Sequence, residues 1–189
     1  ASPTASAEQR AQAKLGAHRM TRLARWKQEL VAEELDHARS SPASIDEHAL
    51  ALATIDSGAA PSDTRAAIAA VLAAQTDPVA LNAMLYVALA AGDADDALAA
   101  AKKAFGTTND PDLLDTLAEC YHAKGDHTDA LAVEDRALAL AAPKPPADLV
   151  ANRARFAAGN GASGDLAALH DGVAQTWKRL AHVEDVPEE

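Results

Sequence analysis

Cys120, His122 and His127, with Glu119 beside them, are the residues whose types and spacing come closest to a metal site. Thiolate sulfur and imidazole nitrogen are the usual ligands of zinc. Spacings of two and five residues do not place three side chains on one face of a helix, and Gly125 places His127 beyond a turn. The sequence offers no fourth strong ligand. We therefore expect no metal and no other cofactor, and we expect Cys120 to be a small buried residue within a helix.

No other group of residues has the spacing of a catalytic site. The remaining histidines stand singly, at positions 18, 37, 48, 170 and 182, and none belongs to a His-Glu-x-x-His pattern. The glycine-rich stretch 159–164 lacks both a preceding strand and a following lysine, so it does not match a phosphate-binding loop. We predict no catalytic residue, and therefore a protein that is not an enzyme. A helical accessory domain of a larger enzyme and a Cys/His metal-binding protein remain the alternatives.

The charge of the chain is distributed unevenly. The 189 residues carry a net charge of −11, yet residues 1–28 carry six Lys or Arg against one Glu, whereas residues 29–189 carry eleven against twenty-seven Asp or Glu. The acidic part is expected to repel nucleic acid and anionic membranes, so we predict no nucleic-acid partner. The basic segment has three readings: a solvated helix packed on the first hairpin, a docking or oligomerisation helix, or a contact for nucleic acid or lipid.

The composition favours helices and a chain without a membrane span. Hydrophobic residues make up 49% of the chain but aromatic residues only 3%, and alanine, the strongest helix former, supplies much of the apolar total. No apolar run approaches the roughly 18 residues of a transmembrane helix. The single cysteine allows no disulfide within the chain. The first residue is Ala1 rather than methionine, which fits a processed exported protein or a piece of a longer chain; an exported or periplasmic location is favoured over a cytoplasmic one.

Prolines recur along the chain at nearly constant intervals. Four of the nine prolines stand at positions 42, 78, 111 and 145, which are 36, 33 and 34 residues apart. Ser41, Asp77 and Asp110 precede the first three, and a side-chain oxygen followed by proline is typical of a helix start. For the first of these helices, Ser44-x-x-Glu47 offers an alternative start as a capping box. A period in the thirties that contains two helical stretches indicates an array of helical hairpins.

The hydrophobic spacing predicts one long helix followed by four hairpins. Residues 7–39 contain no proline, and Leu23, Trp26 and Leu30 lie on one helical face; a break is expected near Gly16. The hairpins are expected at 42–75, 78–106, 111–142 and 146–181. The predicted organisation is a flexible lead-in and amphipathic helix over 1–40, helical repeats over 41–182 that are clearest over 78–142, and an acidic tail over 183–189.

Two copies of one pattern, offset by 33 residues, lie within 78–142. Each copy has a leucine-rich first helix, a Gly-Asp turn, a small residue early in the second helix and an alanine seven residues later. The residues that follow it are Leu114, Leu117, Ala118, Tyr121, Gly125, Ala130 and Ala137 in one copy and Leu81, Gly92, Ala97 and Ala104 in the other. The pattern resembles the tetratricopeptide repeat (TPR) family. It departs from that family in its offset, one residue short of 34, and in Ala88, which stands where Tyr121 stands in the later copy.

The resemblance implies both a fold and a function. The fold it implies is all-α, a right-handed solenoid of helical hairpins preceded by the long N-terminal helix. The function it implies is a protein–protein interaction scaffold or adaptor that binds a partner peptide or helix on its concave face. The candidate partner-binding residues are Asn82, Tyr86 and Leu89 in one repeat and Asp112, Asp115, Thr116, Glu119 and His122 in the next.

The later set of candidate residues is acidic, so we expect a basic or neutral partner. The Lys/Asn clamp with which some members of the family bind a C-terminal carboxylate is absent, which argues against a chaperone-tail-binding role. The alternative for any one of these residues is a purely structural role. Asp112 then supports a helix N-terminus, and the others form a solvated face.

Overall fold

The structure is a computed structural model that describes the backbone of residues 7–159, 161 and 163–181 and the side chains from residue 20 onward. Within these residues the chain has nine α-helices and no strand, which confirms the predicted all-α class. The helices are α1 Ala7–Ser40, α2 Glu47–Thr54, α3 Pro61–Ala74, α4 Pro78–Ala90, α5 Ala94–Phe105, α6 Pro111–Lys124, α7 His127–Leu140, α8 Ala147–Ala158 and α9 Gly164–Ala181. The predicted lead-in over 1–6 and the acidic tail over 183–189 lie outside the described residues.

α1 is one uninterrupted helix of 34 residues. It continues through Gly16, where we expected a break, because a single glycine costs a helix only about 1 kcal/mol. Its second half buries Val31, Leu35 and Ala38, which lie four and three residues apart on one face. This face packs against α2 and α3, so tertiary contacts offset the cost of the glycine.

The two Asp-Pro pairs start helices as predicted. α4 and α6 begin at the prolines of these pairs, and the carboxylates of Asp77 and Asp110 accept hydrogen bonds from the amides two residues later, at 3.3 and 3.0 Å. These bonds satisfy backbone N–H groups that have no partner within the first turn. Both helix starts are therefore determined by local chemistry.

The predicted helix start at Ser41-Pro42 is wrong. Residues 41–44 form a turn in which the Ser44 hydroxyl donates to the Ser41 carbonyl oxygen. α2 begins later, and the carboxylate of Asp46 accepts the N–H of Ala49 at 2.9 Å. Serine side chains compete with the backbone for such hydrogen bonds, which is why a Ser-Pro pair can form a turn as readily as a helix start.

The turns that follow α4 and α6 have the same geometry. Gly92 and Gly125 have φ angles of +82° and +88°. Each glycine N–H bonds to the carbonyl three residues earlier, and each following aspartate N–H bonds to the carbonyl five residues earlier. This is the Schellman arrangement, which favours glycine because its left-handed backbone strains any residue with a Cβ. The 33-residue offset in the sequence therefore corresponds to equivalent bends.

The left-handed turn at Gly125 makes a direct prediction about stability. We expect Gly125→Ala to lower the free energy of unfolding by about 1 kcal/mol in urea denaturation, since a Cβ strains this backbone conformation. Gly172→Ala is the matched control, because Gly172 is helical and a Cβ there meets no atom within 4 Å. The control should be unchanged or slightly stabilised. Equal stability of Gly125→Ala and the wild type would contradict the turn geometry.

α4 is the central helix of the described chain. It contains no charged residue and packs against α2, α3, α5, α6 and α9. A helix that is apolar on all sides is stable in water only when every side is covered. On neighbouring α5, Ala97 and Ala101 have no exposed surface, and their small side chains allow close packing of the helices.

The last two helices are not the hairpin that the spacing predicted. α8 packs against α7 and α6, whereas α9 packs against α4 and α2 rather than along α8, within the described residues. Two groups far apart in sequence confirm this placement: His170 of α9 and Asp56, which follows α2, lie 3.2 Å apart. The physical reason is that α4 carries no charged residue. The side of α4 that α2, α3, α5 and α6 leave open is covered by α9, which is distant in sequence.

Candidate functional site

The eight candidate residues lie on α4 and α6, and the structure gives them different environments. Asp112 is exposed, whereas Asn82, Tyr86 and Asp115 are half-buried. Leu89, Thr116, Glu119 and His122 are buried. Their role in partner binding stays a prediction. The buried members are shielded from solvent by other residues of this chain.

The part of this face that α6 contributes is covered by α8 and by the loop after it. Asn152 Nδ2 donates to Asp115 Oδ1 at 2.8 Å. The Arg155 guanidinium donates to both carboxylate oxygens of Glu119 and, at 3.1 Å, to the Gly161 carbonyl. These residues, together with Glu134, are called the buried polar cluster below.

The two buried carboxyl groups on α6, those of Asp115 and Glu119, are compensated by hydrogen bonds from α8. Only 2% of the Glu119 side chain and 15% of the Arg155 side chain are exposed. Burial raises the pKa of the Glu119 carboxyl, and the hydrogen bond and charge of Arg155 offset part of this rise. Burial also raises the pKa of Asp115, and the hydrogen bond from Asn152 opposes it. A bidentate guanidinium is the arrangement that best compensates a buried carboxylate.

Glu134 is the member of the cluster that sequence reasoning missed. It has no exposed surface, and its carboxyl group lies within hydrogen-bonding reach of the Asp115 carboxylate, to which it can donate only when it is protonated. Burial, followed by the negative charge of Asp115, raises the pKa of Glu134 to about 9. Glu134 is therefore protonated and neutral near pH 7, because an unpaired buried carboxylate is costly.

Next to the cluster, His122 and His127 are in a defined tautomeric state. His122 Nε2 lies 3.2 Å from the Gly161 carbonyl oxygen, which can only accept, so this nitrogen carries the proton. His122 then accepts at Nδ1, and His127 Nδ1 donates across 3.1 Å. Burial lowers the pKa of His122, which favours the neutral form that this arrangement requires.

Of the three residues considered as metal ligands in the sequence, two are in contact and the third is buried. His122 and His127 meet, but Cys120 is buried, and burial raises the pKa of its thiol to about 12. Among the described residues no three His, Cys, Asp or Glu side chains converge as a metal site requires. A thiol with a raised pKa is a poor metal ligand and a poor nucleophile.

An open cleft of about 700 Å³ lies between α2, α4 and α9. Ala51, Ala83 and Val173, one from each helix, contribute to its apolar wall, and Tyr86 is the candidate residue that lines it. Burial, followed by the charge of Asp115, raises the pKa of the Tyr86 phenol, which therefore stays protonated and able to donate a hydrogen bond. The cleft is large enough to hold side chains, and the Tyr86 hydroxyl is one of its polar groups, together with Gln175 and Thr176.

The rim of this cleft is charged and exposed. Glu47 and His48 lie on α2, and Asp165 and Arg179 lie on α9. All four are solvent-exposed. Two carboxylates and one guanidinium thus surround an interior that is mostly apolar.

Comparisons of the chain with protein-family models, with curated proteins and with solved structures find no match. None of the described helices is both long and apolar enough to cross a lipid bilayer.

The sequence carried a signal for one of the residues that were missed. With the 33-residue offset, Glu134 corresponds to Ala101, which lies between the matched alanines Ala97 and Ala104. A glutamate at a position where the earlier repeat buries an alanine indicates a buried acid. Asn152 and Arg155 carried no such signal, because their partners lie 37 and 36 residues away.

Proposed function

We propose that this chain is a protein–protein interaction module, a TPR-like solenoid of helical hairpins that binds a segment of a partner protein. The proposal is supported by the equivalent bends after α4 and α6 and by the packing of successive helices, in which α4 contacts both α5 and α6. The proposed role is binding rather than catalysis, and the chain uses neither metal nor other cofactor in it.

The observation that carries the proposal is the open cleft between α2, α4 and α9. Its volume of about 700 Å³ is large for a surface of small side chains, because Ala51, Ala83 and Gly172 leave space that longer residues would fill. Interfaces bind through side chains that enter such apolar depressions while a polar rim excludes water. Tyr86 adds a donor that fixes the position of the bound segment.

The partner that this surface favours is neutral or basic. Glu47 and Asp165 at the rim outweigh the single positive charge of Arg179, and residues 29–189 are strongly acidic as a whole. Such a surface attracts a positively charged segment and repels an acidic one.

We expect Ala83→Arg to weaken binding of a partner segment at least tenfold, because the arginine side chain fills the cleft. The measurement uses 20-residue peptides selected from a displayed library on the immobilised chain, with dissociation constants determined for the strongest binders. Val79→Arg is the matched control: it lies on the same helix, is 75% exposed and does not line the cleft, and it should change the affinity less than twofold. A library without binders, or binders indifferent to Ala83→Arg, would reject the proposal.

A further inference from the structure

α9 lies on α2 and α4 as a separate amphipathic helix. Leu166, Leu169, Val173 and Trp177 are three, four and four residues apart, and all four belong to the apolar core or pack against it. Ala174, which lies about 100° around the helix from Val173, is exposed. This is the pattern of a helix that binds a groove through one apolar stripe.

α9 is joined to the rest of the chain by a glycine-rich connection. Gly159 and Gly161 have positive φ angles of +67° and +81°, and the Gly161 carbonyl is bound by His122 and Arg155. The connection is thus anchored before α9 begins, and α9 itself makes its contacts with other helices. The side chains that anchor the connection therefore come from α6 and α8, and not from the helices beneath α9.

The fit of α9 to this surface is incomplete. Beside it lies the open cleft, and two buried polar atoms, Trp177 Nε1 and Asn82 Oδ1 of α4, have no partner among the described residues. One polar contact at its edge is exposed, between His170 and Asp56, which lie 3.2 Å apart. The Lys27 amine lies 4.6 Å from the centre of the half-buried Trp177 ring. Exposed contacts of this kind contribute little to stability, and unpaired buried polar atoms oppose it.

We propose that the face of α2 and α4 beneath α9 is a binding site for an amphipathic helix of a partner protein, which binds by displacing α9. This inference rests on the proposed function and deepens it: the partner occupies the α2 and α4 side of the cleft and replaces the wall that α9 supplies. Its binding helix has aliphatic residues at three- and four-residue spacing and an aromatic residue one turn further on, as in α9. Because α4 contains no charged residue, exposing the part of it that lies beneath α9 to water is costly. Exchange of one helix for another is therefore favoured over simple release of α9.

The test uses full-length chains and a labelled peptide of residues 164–181, titrated by fluorescence anisotropy. In the chain, Val173→Asp places a charge at a buried position of its own α9, whereas the control Ala174→Asp places the same charge on the exposed side. The attached α9 competes at an effective concentration on the order of millimolar. We therefore expect the peptide to bind the Val173→Asp chain at least tenfold more tightly than the wild type or the control.

Two results would overturn the proposal. One is equal affinity of the peptide for all three chains, and the other is no binding to a Val173→Asp chain whose circular dichroism is still helical. A peptide that itself carries Val173→Asp should bind none of the chains, and binding by it would also count against the apolar stripe.

A second measurement does not require the Val173→Asp chain to fold. The chain has two tryptophans, so Trp26→Phe leaves Trp177 as the sole emitter. Peptide 164–181 with Trp177→Phe, added at millimolar concentration, should shift the Trp177 emission to longer wavelength as that side chain enters water. Unchanged emission would reject displacement. A library-selected peptide that is sensitive to Ala83→Arg but leaves this emission unchanged would support the proposed function and reject displacement alone.

Discussion

Arg155→Met is expected to lower the free energy of unfolding by about 3–5 kcal/mol, the usual cost of removing one partner of a buried ion pair. The substitution keeps much of the apolar stem of Arg155 but leaves Glu119, whose side chain is 2% exposed, without its guanidinium. The buried carboxylate must then take up a proton or draw in water, and either process destabilises the folded state. Urea denaturation monitored by circular dichroism measures the loss.

A matched control lies two residues earlier on the same helix. Arg153 pairs with Asp135, but 46% and 54% of these side chains are exposed, so Arg153→Met should lower the free energy of unfolding much less than Arg155→Met does. The double variant Glu119→Gln with Arg155→Met should recover part of the loss, since no uncompensated charge remains. Similar losses for Arg153→Met and Arg155→Met would show that the burial of the Glu119–Arg155 pair is not decisive.

Glu134→Gln is expected to stabilise the protein at neutral pH and to change how its stability depends on pH. The folded state holds the pKa of Glu134 at about 9, above its ordinary value of 4.5. Between these values the folded state binds one proton more than the unfolded state, so stability decreases as pH rises, by about 1.4 kcal/mol per pH unit. Glutamine is neutral at every pH and removes this contribution, for a gain on the order of 3 kcal/mol at pH 7.

The measurement is the free energy of unfolding in urea at several pH values between 5 and 8. Asp115 and Glu119 also have raised pKa values, so the wild type and Glu134→Gln should both lose stability as pH rises, the variant with a slope smaller by about one proton. Asp135→Asn is the control, because Asp135 is exposed and pairs with Arg153. An identical slope for Glu134→Gln and the wild type would mean that Glu134 is ionised in the folded state.

The elements that sequence reasoning predicted are those whose structure depends on near neighbours. Asp77 and Asp110 cap their helices through amides two residues away, and Gly92 and Gly125 end helices through bonds within five residues. The prediction was wrong at Ser41-Pro42, where the Ser44 hydroxyl donates to the Ser41 carbonyl oxygen and residues 41–44 form a turn. In each of these cases a contact within a few residues decided the outcome.

The candidate site was predicted in its position on α4 and α6 but not in its exposure. Periodicity places Asp115, Glu119 and His122 on one face of α6, yet it does not reveal that Asn152 and Arg155 of α8 cover that face. Glu134 belongs with them only because α7 packs against α6. Residue spacing shows on which face of a helix a side chain lies. Whether that side chain is buried depends on which other helix packs against the face.

By itself, the sequence determined an all-helical chain, the 33-residue equivalence of its central turns and the apolar character of α4, since helix propensity, capping and spacing act over one or two turns. Only the tertiary structure decided that α9 covers α4, that Glu119 is neutralised by Arg155 and that a cleft remains open beside Tyr86. The reason is that an apolar helix surface must be buried, but its apolar character does not determine which other helix buries it. Many amphipathic helices can meet that requirement, and the choice among them depends on packing across the whole fold.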